Sequence, residues 1–314
     1  MVKYISSRIG QMLVTVVLVS FFTYILVDIM PKDPVYALYG PNITQEEYEA
    51  GYRALDLDKP LLVRYGMWAS KVLRGDWGTS YKHHMQVWEL LAPKIAVTLY
   101  LSVLSAMISF AVGILLGAVT AVKRGKWQDT VLTFLANLCA SLPSFVVALG
   151  LLYLFCIRSQ LLPTSGFTWP WVDFGKHVRQ LAMPLFALSL SGVASICRQT
   201  RSSMLEVIRQ DYIRTARSKG LRERVVIVGH VMRNALVPVI TLLGNRLAYF
   251  IGGAMFVENV FSIPGTGSLM VQSINFMDVP VIQAFVVLSA VVISLAYLVT
   301  DILYVAVDPR ISLD

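Results

Sequence analysis

Few side chains in this sequence stand where they could do chemistry. The histidines are His83, His84, His177 and His230. The adjacent His83–His84 pair could hold a metal weakly, but two neighbours on a loop are more often simply solvated. No GxxxxGK[ST] run is present to cradle nucleotide phosphates, and there is no GxSxG or HExxH motif. No apolar segment carries two carboxylates, so an intramembrane enzyme has little support. Cys139, Cys156 and Cys197 lie in or beside apolar runs without CxxC or Cys/His spacing, and read as small buried hydrophobes. The chemistry that remains is charge, and it is concentrated in two places.

The first is Arg246, next to Asn245 near the middle of an apolar run, with Glu258 just past the end of that run. A central arginine costs about 2.5–3.5 kcal/mol on insertion scales, so it should face a water-filled cavity or an acidic partner. It reads either as a pathway residue attracting a substrate carboxylate or as one half of an internal ion pair. Asn245, Arg246 and Glu258 are the candidate substrate-path residues. The second place is Arg198–Arg233, with nine Lys/Arg against three Asp/Glu, set between apolar segments.

The elements that position these residues are membrane spans. Of 314 residues, 56% are hydrophobic and 15% charged, against about 25% charged in ordinary globular domains. A helix needs about 20 apolar residues to cross the hydrocarbon core. Six segments qualify: Ile9–Met30, Ile95–Val122, Thr130–Ile157, the shorter Leu181–Cys197, Ala235–Val257 and Val279–Thr300. The first exceeds the roughly 7–15 apolar residues of a signal-peptide core and lacks an A-x-A site, so it reads as a retained helix. Pro143 and Pro184 are expected to kink the third and fourth spans, and Gly252-Gly253 to permit close helix packing.

The net charge of +8 is not a nucleic-acid signal here, because the basic residues cluster in particular loops. Short Lys/Arg-rich loops stay cytoplasmic. The 123–129 loop, KRGKWQD, has three basic residues, the 198–233 stretch has nine and the 258–278 loop has none. Both termini are then cytoplasmic and residues 31–94 lie outside. Arg158, Lys176 and Arg179, in the outer 158–180 loop, run mildly against this pattern. The chain thus divides into residues 1–30, a 31–94 cap and a 95–314 core of five spans. Within the cap, Thr44 starts a short helix with acidic residues in its first turn. KPLLVRYGMWASKVLRG reads as a second, amphipathic helix, and Gly75 and Gly78 bracket a turn.

Within Arg198–Arg233, Met204–Lys219 lacks proline and glycine and is predicted helical. Gly220 permits a left-handed turn, and Leu221–Asn234 leads back to the membrane. The result is a helix–turn–helix elbow, with small residues Thr215, Ala216 and Ser218 leading to Gly220. A solvated basic loop that only sets topology, or a patch held on anionic headgroups, leaves that small-residue turn unexplained.

DYIRTARSKGL, followed by HVMRNALVPVIT, resembles the cytoplasmic EAA loop of binding-protein-dependent ABC importer permeases. It is most similar to the dipeptide/oligopeptide/nickel branch, in which the first glutamate of the loop is replaced. The E-A-A positions read Arg214-Thr215-Ala216. MPKDPV at 30–35 fits the same family, with Lys32 where glycine is usual. So does LDLDKPLLVRYGMWASKVLRGDWGTSY, with Trp77 where leucine is common, and so do residues 252–283 and DILYVAVDPRI.

The resemblance covers nearly the whole chain and points to the first of the two permeases in such systems. It implies an all-α integral membrane protein with six transmembrane helices in the type I ABC importer permease fold. It also implies a multi-pass place in a bacterial or archaeal plasma (inner) membrane, in contact with lipid, and a pore shared with a second homologous permease. Two ABC ATPase subunits beneath would hold ATP and magnesium, leaving this chain non-catalytic and without a cofactor. An extracytoplasmic solute-binding protein would deliver substrate onto residues 31–94 and 258–278. The coupling helix would lie at about Arg209–Gly220 and present Asp211, Tyr212, Arg214, Thr215, Ala216, Arg217, Ser218, Lys219 and Gly220 to an ATPase. ATP would drive import by favouring one pore state over the other. The cargo implied is dipeptides or oligopeptides, with nickel or a metal chelate as the alternative. An ion-coupled secondary carrier would call for paired intramembrane carboxylates or an inverted repeat, and neither is seen.

Overall fold

The computed structural model describes residues 2–30 and 33–307, with side chains at 2–5, 241, 243–251 and 303–307 left aside. Within these residues the chain is helical, and the only extended pairing is a single antiparallel bridge, Thr79–Gln86. Among the described residues, four helices are long and apolar enough to cross a membrane. They are the Ser6–Asp28 part of α1 (Val2–Asp28), α5 (Val87–Val122), α8 (Phe174–Ile208) and the Val279–Ile302 part of α14 (Val279–Val307). A fifth crossing arises if α6 (Trp127–Ser141) and the segment Ser144–Arg158 are one span, although they meet at 100°. That segment is α7 (Ser144–Leu151) followed by a π-helical turn, Leu152–Arg158.

This bend corrects the expectation of a merely kinked third span. Leu142, before Pro143, is extended, with φ −87° and ψ 123°, as the clash with a following proline ring favours. Pro143 then caps the start of α7. By contrast, α8 continues through Pro184 without interruption. The remaining expected span is helical as α12 (Val237–Val260), with Pro238 in its first turn, where a missing N–H costs nothing. The side chains of Asn245 and Arg246 lie outside the described residues.

The chain falls into two compact units, Met1–Thr98 with Pro264–Ser294, and Leu99–Ile263 with Leu295–Asp314. The first contains the short helices α2 (Pro34–Tyr39), α3 (Gln45–Ala54) and α4 (Leu61–Leu73). The expected start of α3 is a full capping box: Thr44 Oγ1 accepts from Glu47 N–H at 3.3 Å, and Glu47 accepts from Thr44 N–H at 2.8 Å. α4 lies along α1. Arg64 makes a two-pronged pair with Asp28, at 2.7 and 3.1 Å, and Tyr65 packs its ring edge on Phe21 and Tyr24.

Gly75 and Gly78 adopt positive φ, as their turn requires. Beyond this turn the fully buried carboxylate of Asp278, just after α13 (Thr266–Phe276), accepts from Ser80 Oγ, from Tyr81 N–H at 2.9 Å and from Lys82 N–H at 3.4 Å. A buried carboxylate needs such donors. The core of this unit gathers Val87, Leu91, Leu269, Val281 and Ala284.

In the second unit, α6, α7 and α12 all pack on α8. α5 approaches α8 through two glycines. A Cβ on Gly113 would lie 2.8 Å from Ile196 Cβ, and one on Gly117 would lie 2.6 Å from the Cys197 carbonyl oxygen. Gly113 and Gly117 form a small-xxx-small pair of the kind that lets apolar helices touch backbone to backbone. At Gly252, the other glycine site where close packing is expected, a Cβ would meet nothing within 4 Å in this chain. Cys156 and Cys197 are buried and Cys139 partly so, all as free thiols.

Candidate functional site

The basic elbow is built by α8 and the helices after it. The predicted single helix over Met204–Lys219 is two helices: α8 ends at Ile208 and α9 runs Asp211–Ser218, with Gln210 extended between them. The reason lies in packing. Met204 and Ile213 are nine positions apart, which on one straight helix at about 100° per residue puts them on opposite faces. Both are fully buried, and they share a cluster with Ala121, Ala216, Val226, Val231 and Ala235. Only a break at 209–210 brings both side chains into one core.

The return arm is α10 (Glu223–Val225), a π-helical stretch (Val226–Met232) and α11 (Arg233–Ala235). It follows the turn at Gly220, whose φ of +79° suits glycine, and a Cβ there would meet open space. Conformation, not crowding, sets glycine at this position.

The elbow therefore has an inward and an outward face. Ile213 and Ala216 point into the core, at 0% and 9% exposure. Ala216, expected on the docking face, thus serves the chain's own packing. Asp211, Tyr212, Arg214, Thr215, Arg217, Ser218, Lys219 and Gly220 are exposed. The outward face is held from below. Arg217 grips Glu223 with two hydrogen bonds, at 2.7 and 3.1 Å, and the guanidinium holds the Glu223 carboxyl below its usual range. Asn234 Nδ2 donates to Tyr212 Oη at 2.9 Å, tying α9 to the return arm. Thr215 and Ser218 hydroxyls donate to carbonyls one turn back.

A second clamp fixes the neighbouring KRGKWQD loop. Arg201 of α8 donates to both Asp129 oxygens, at 2.7 and 2.9 Å, and Asp129 also accepts from Gly125 N–H and Thr133 Oγ1. The two members are 72 positions apart, so no local pattern in the sequence pairs them. Among the expected substrate-path residues, Glu258 is fully buried, and its carbonyl accepts from Ile263 N–H at 2.8 Å. No catalytic constellation accompanies any of these residues in the described structure.

The geometry is that of a rigid, outward-facing helix carried on the ends of long apolar helices. Family models match along nearly the whole chain. Residues 113–313 match the binding-protein-dependent transport system inner membrane component, and residues 1–102 match the N-terminal region of such membrane components. The chain belongs to this family.

The permease is 37% identical to a putative peptide permease protein of Brucella ovis over 99% of both chains. It is 36% identical to a probable peptide ABC transporter permease protein of Sinorhizobium fredii over 98% of both. It is 34% identical to the glutathione transport system permease protein GsiC of Salmonella choleraesuis over 99% of both. In fold it is similar to a chain of the MetNI methionine ABC transporter in an inward-facing conformation, with TM-score 0.57 and 18% identity over 70% of this chain and 96% of that one. It is an all-helical, multi-pass inner membrane component that works with other transporter subunits.

Proposed function

We propose that this permease is the first-type membrane subunit of an ATP-driven importer of short peptides. The reading holds six spans, α12 being the one that completes them, with both termini cytoplasmic and α2–α4 forming a cap outside. A second permease shares the pore, and a solute-binding protein delivers peptide to the outer face. Two ATPase subunits bind beneath and carry ATP and magnesium, so no catalysis falls to this chain. Peptides rather than nickel or a metal chelate are the cargo because the relatives named above carry peptide and glutathione names. An ion-coupled carrier does not fit the family.

The observation that carries the mechanism is the two-faced α9. Ile213 and Ala216 anchor it in the same core as α8, while Tyr212, Arg214, Thr215 and Ser218 stand outward. A push on the outward face moves α8 and the return arm together, because the Arg217–Glu223 and Tyr212–Asn234 links leave α9 little freedom to slip. ATP acts by favouring one pore state over the other through this lever. Asn245 and Arg246 stay in the proposal as pathway residues in α12.

The test is bulk on the outward face. Thr215→Trp and Ser218→Trp should leave the permease inserted and paired with its partner permease, while ATPase co-purification and peptide uptake fall by about tenfold or more. Full uptake with normal ATPase recovery in both variants would remove α9 from the docking surface.

A further inference from the structure

Outside the elbow, the first unit contains a cavity of about 750 Å³. Its walls come from the end of α1, the α3–α4 turn, α4, the 76–81 turn and the start of α14. Its size falls within the roughly 300–1,000 Å³ of small-molecule sites. What distinguishes it is the set of polar groups left open. Gln283 is only 5% exposed and lines the cavity, yet its amide has no hydrogen-bond partner among the described residues. The amide opens onto the cavity rather than being sealed in the core, so both of its polar atoms are available to whatever enters. One side-chain amide offers one donor group and one acceptor, the complement of a peptide bond.

Tyr81 also lines the cavity, and its hydroxyl has no hydrogen bond among the described residues. Burial, and then the Asp278 carboxylate, hold this phenol well above its usual range, so it stays a neutral donor. The charges present are equally selective. Asp28 is already paired with Arg64, Asp33 accepts from Tyr48 and Val35, and Asp56 holds Lys59. Lys71 has no ion pair among the described residues, and Asp76 accepts only from Gly78 N–H. One open cation and one incompletely paired anion remain, beside the apolar walls of Trp68 and Trp77.

We infer that this cavity is a reception site for a short peptide with free termini: Gln283 and Tyr81 take a peptide bond, Lys71 the carboxylate and Asp76 the ammonium. The inference rests on the peptide reading above and adds to it a place on this chain. Metal cargo fits poorly, since the aspartates around the cavity are mostly engaged already.

The experiment uses the complete transporter in nanodiscs without its binding protein. It is offered tri-alanine and a random tripeptide pool, and mass spectrometry reads what is retained. Unblocked tripeptides should be retained, and Gln283→Leu should weaken binding by about tenfold or more. Lys71→Gln should erase the preference for a free over an amidated C terminus, and Asp76→Asn the preference for a free over an acetylated N terminus. Lys71 and Asp76 are exposed, so these two variants keep the test alive if Gln283→Leu fails to assemble.

No retention, or retention unchanged in all three variants, overturns the site. So does a photo-crosslinker at position 283 that, once the binding protein is added back with peptide, captures that protein instead of peptide. Peptide uptake by cells is measured in parallel. Normal uptake with no retention sinks only the cavity, whereas absent uptake by the unaltered transporter sinks the peptide reading itself.

Discussion

Asp129 shows how much one residue can fix when its partners are right. It is 6% exposed, and all its acceptor capacity is directed: two bonds from Arg201, one from Gly125 N–H and one from Thr133. Charge-assisted bonds of this kind contribute about 1.5–3 kcal/mol each when a partner is lost. Asp129→Asn keeps the shape but removes the charge and one acceptor. It should therefore destabilise the purified permease by about 2–3 kcal/mol and open the KRGKWQD loop to protease. Replacing both members by apolar residues, Asp129→Leu with Arg201→Met, should recover much of the loss, because no buried charge is then left alone. Reversible unfolding in detergent reads both values. A single variant within about 0.5 kcal/mol of the wild type would show the pair to be incidental. At this scale the sequence was informative only where chemistry is local. Thr44 with Glu47, and Gly220 at its turn, were legible because their partners are three residues away or in their own backbone. Asp129 with Arg201, and Asp278 with Ser80, were not, because only the fold brings them together.

Among the described helices, α5 and α8 come close enough at Gly117 to leave no room for a Cβ. Gly117 faces the Cys197 carbonyl and Thr200, where an added Cβ would sit 2.6 Å from each. Neither neighbour is the end of a flexible side chain, so the helices themselves must part. Gly117→Ala should cost about 1–3 kcal/mol, as overpacking does. Gly252→Ala, in open space within this chain, should cost nothing and is the comparison in the same unfolding assay. Equal losses in the two variants would show that helix approach is not the source. The GILLG spacing was available in the sequence, but so was Gly252-Gly253, and periodicity cannot say which glycine pair meets a neighbour. The same limit explains the elbow. Helix formers fill Met204–Lys219, and local propensity favours one helix. The break at 209–210 comes from the need to bury Met204 and Ile213 on one side, which only the packed core imposes. Pro143 was legible as a disturbance because its ring acts on the residue before it, but the 100° turn that follows was not.

For the molecule as a whole, the question is which end of the bundle faces the cell interior. The +8 net charge is spread unevenly, with nine Lys/Arg in Arg198–Arg233 and three in the short 123–129 loop, against none in 258–278. Arg158, Lys176 and Arg179 oppose this, but orientation follows the balance over all short loops, and the two basic segments outweigh them. They also meet in one structure, since Asp129 at the end of one is clamped by Arg201 at the start of the other. Whichever side takes one segment must take both, so a single orientation error would strand twelve basic residues on the wrong face. The proposed orientation therefore puts Ser218 inside and Ser70, exposed on α4, outside. In a background with Cys139, Cys156 and Cys197 replaced by alanine, Ser70→Cys should react with a membrane-impermeant maleimide on intact spheroplasts. Ser218→Cys should react only after lysis, and less when the ATPases are bound, because the proposed docking covers that position. Labelling of Ser218→Cys on intact spheroplasts would reverse the proposed topology and, with it, take α9 away from any cytoplasmic ATPase.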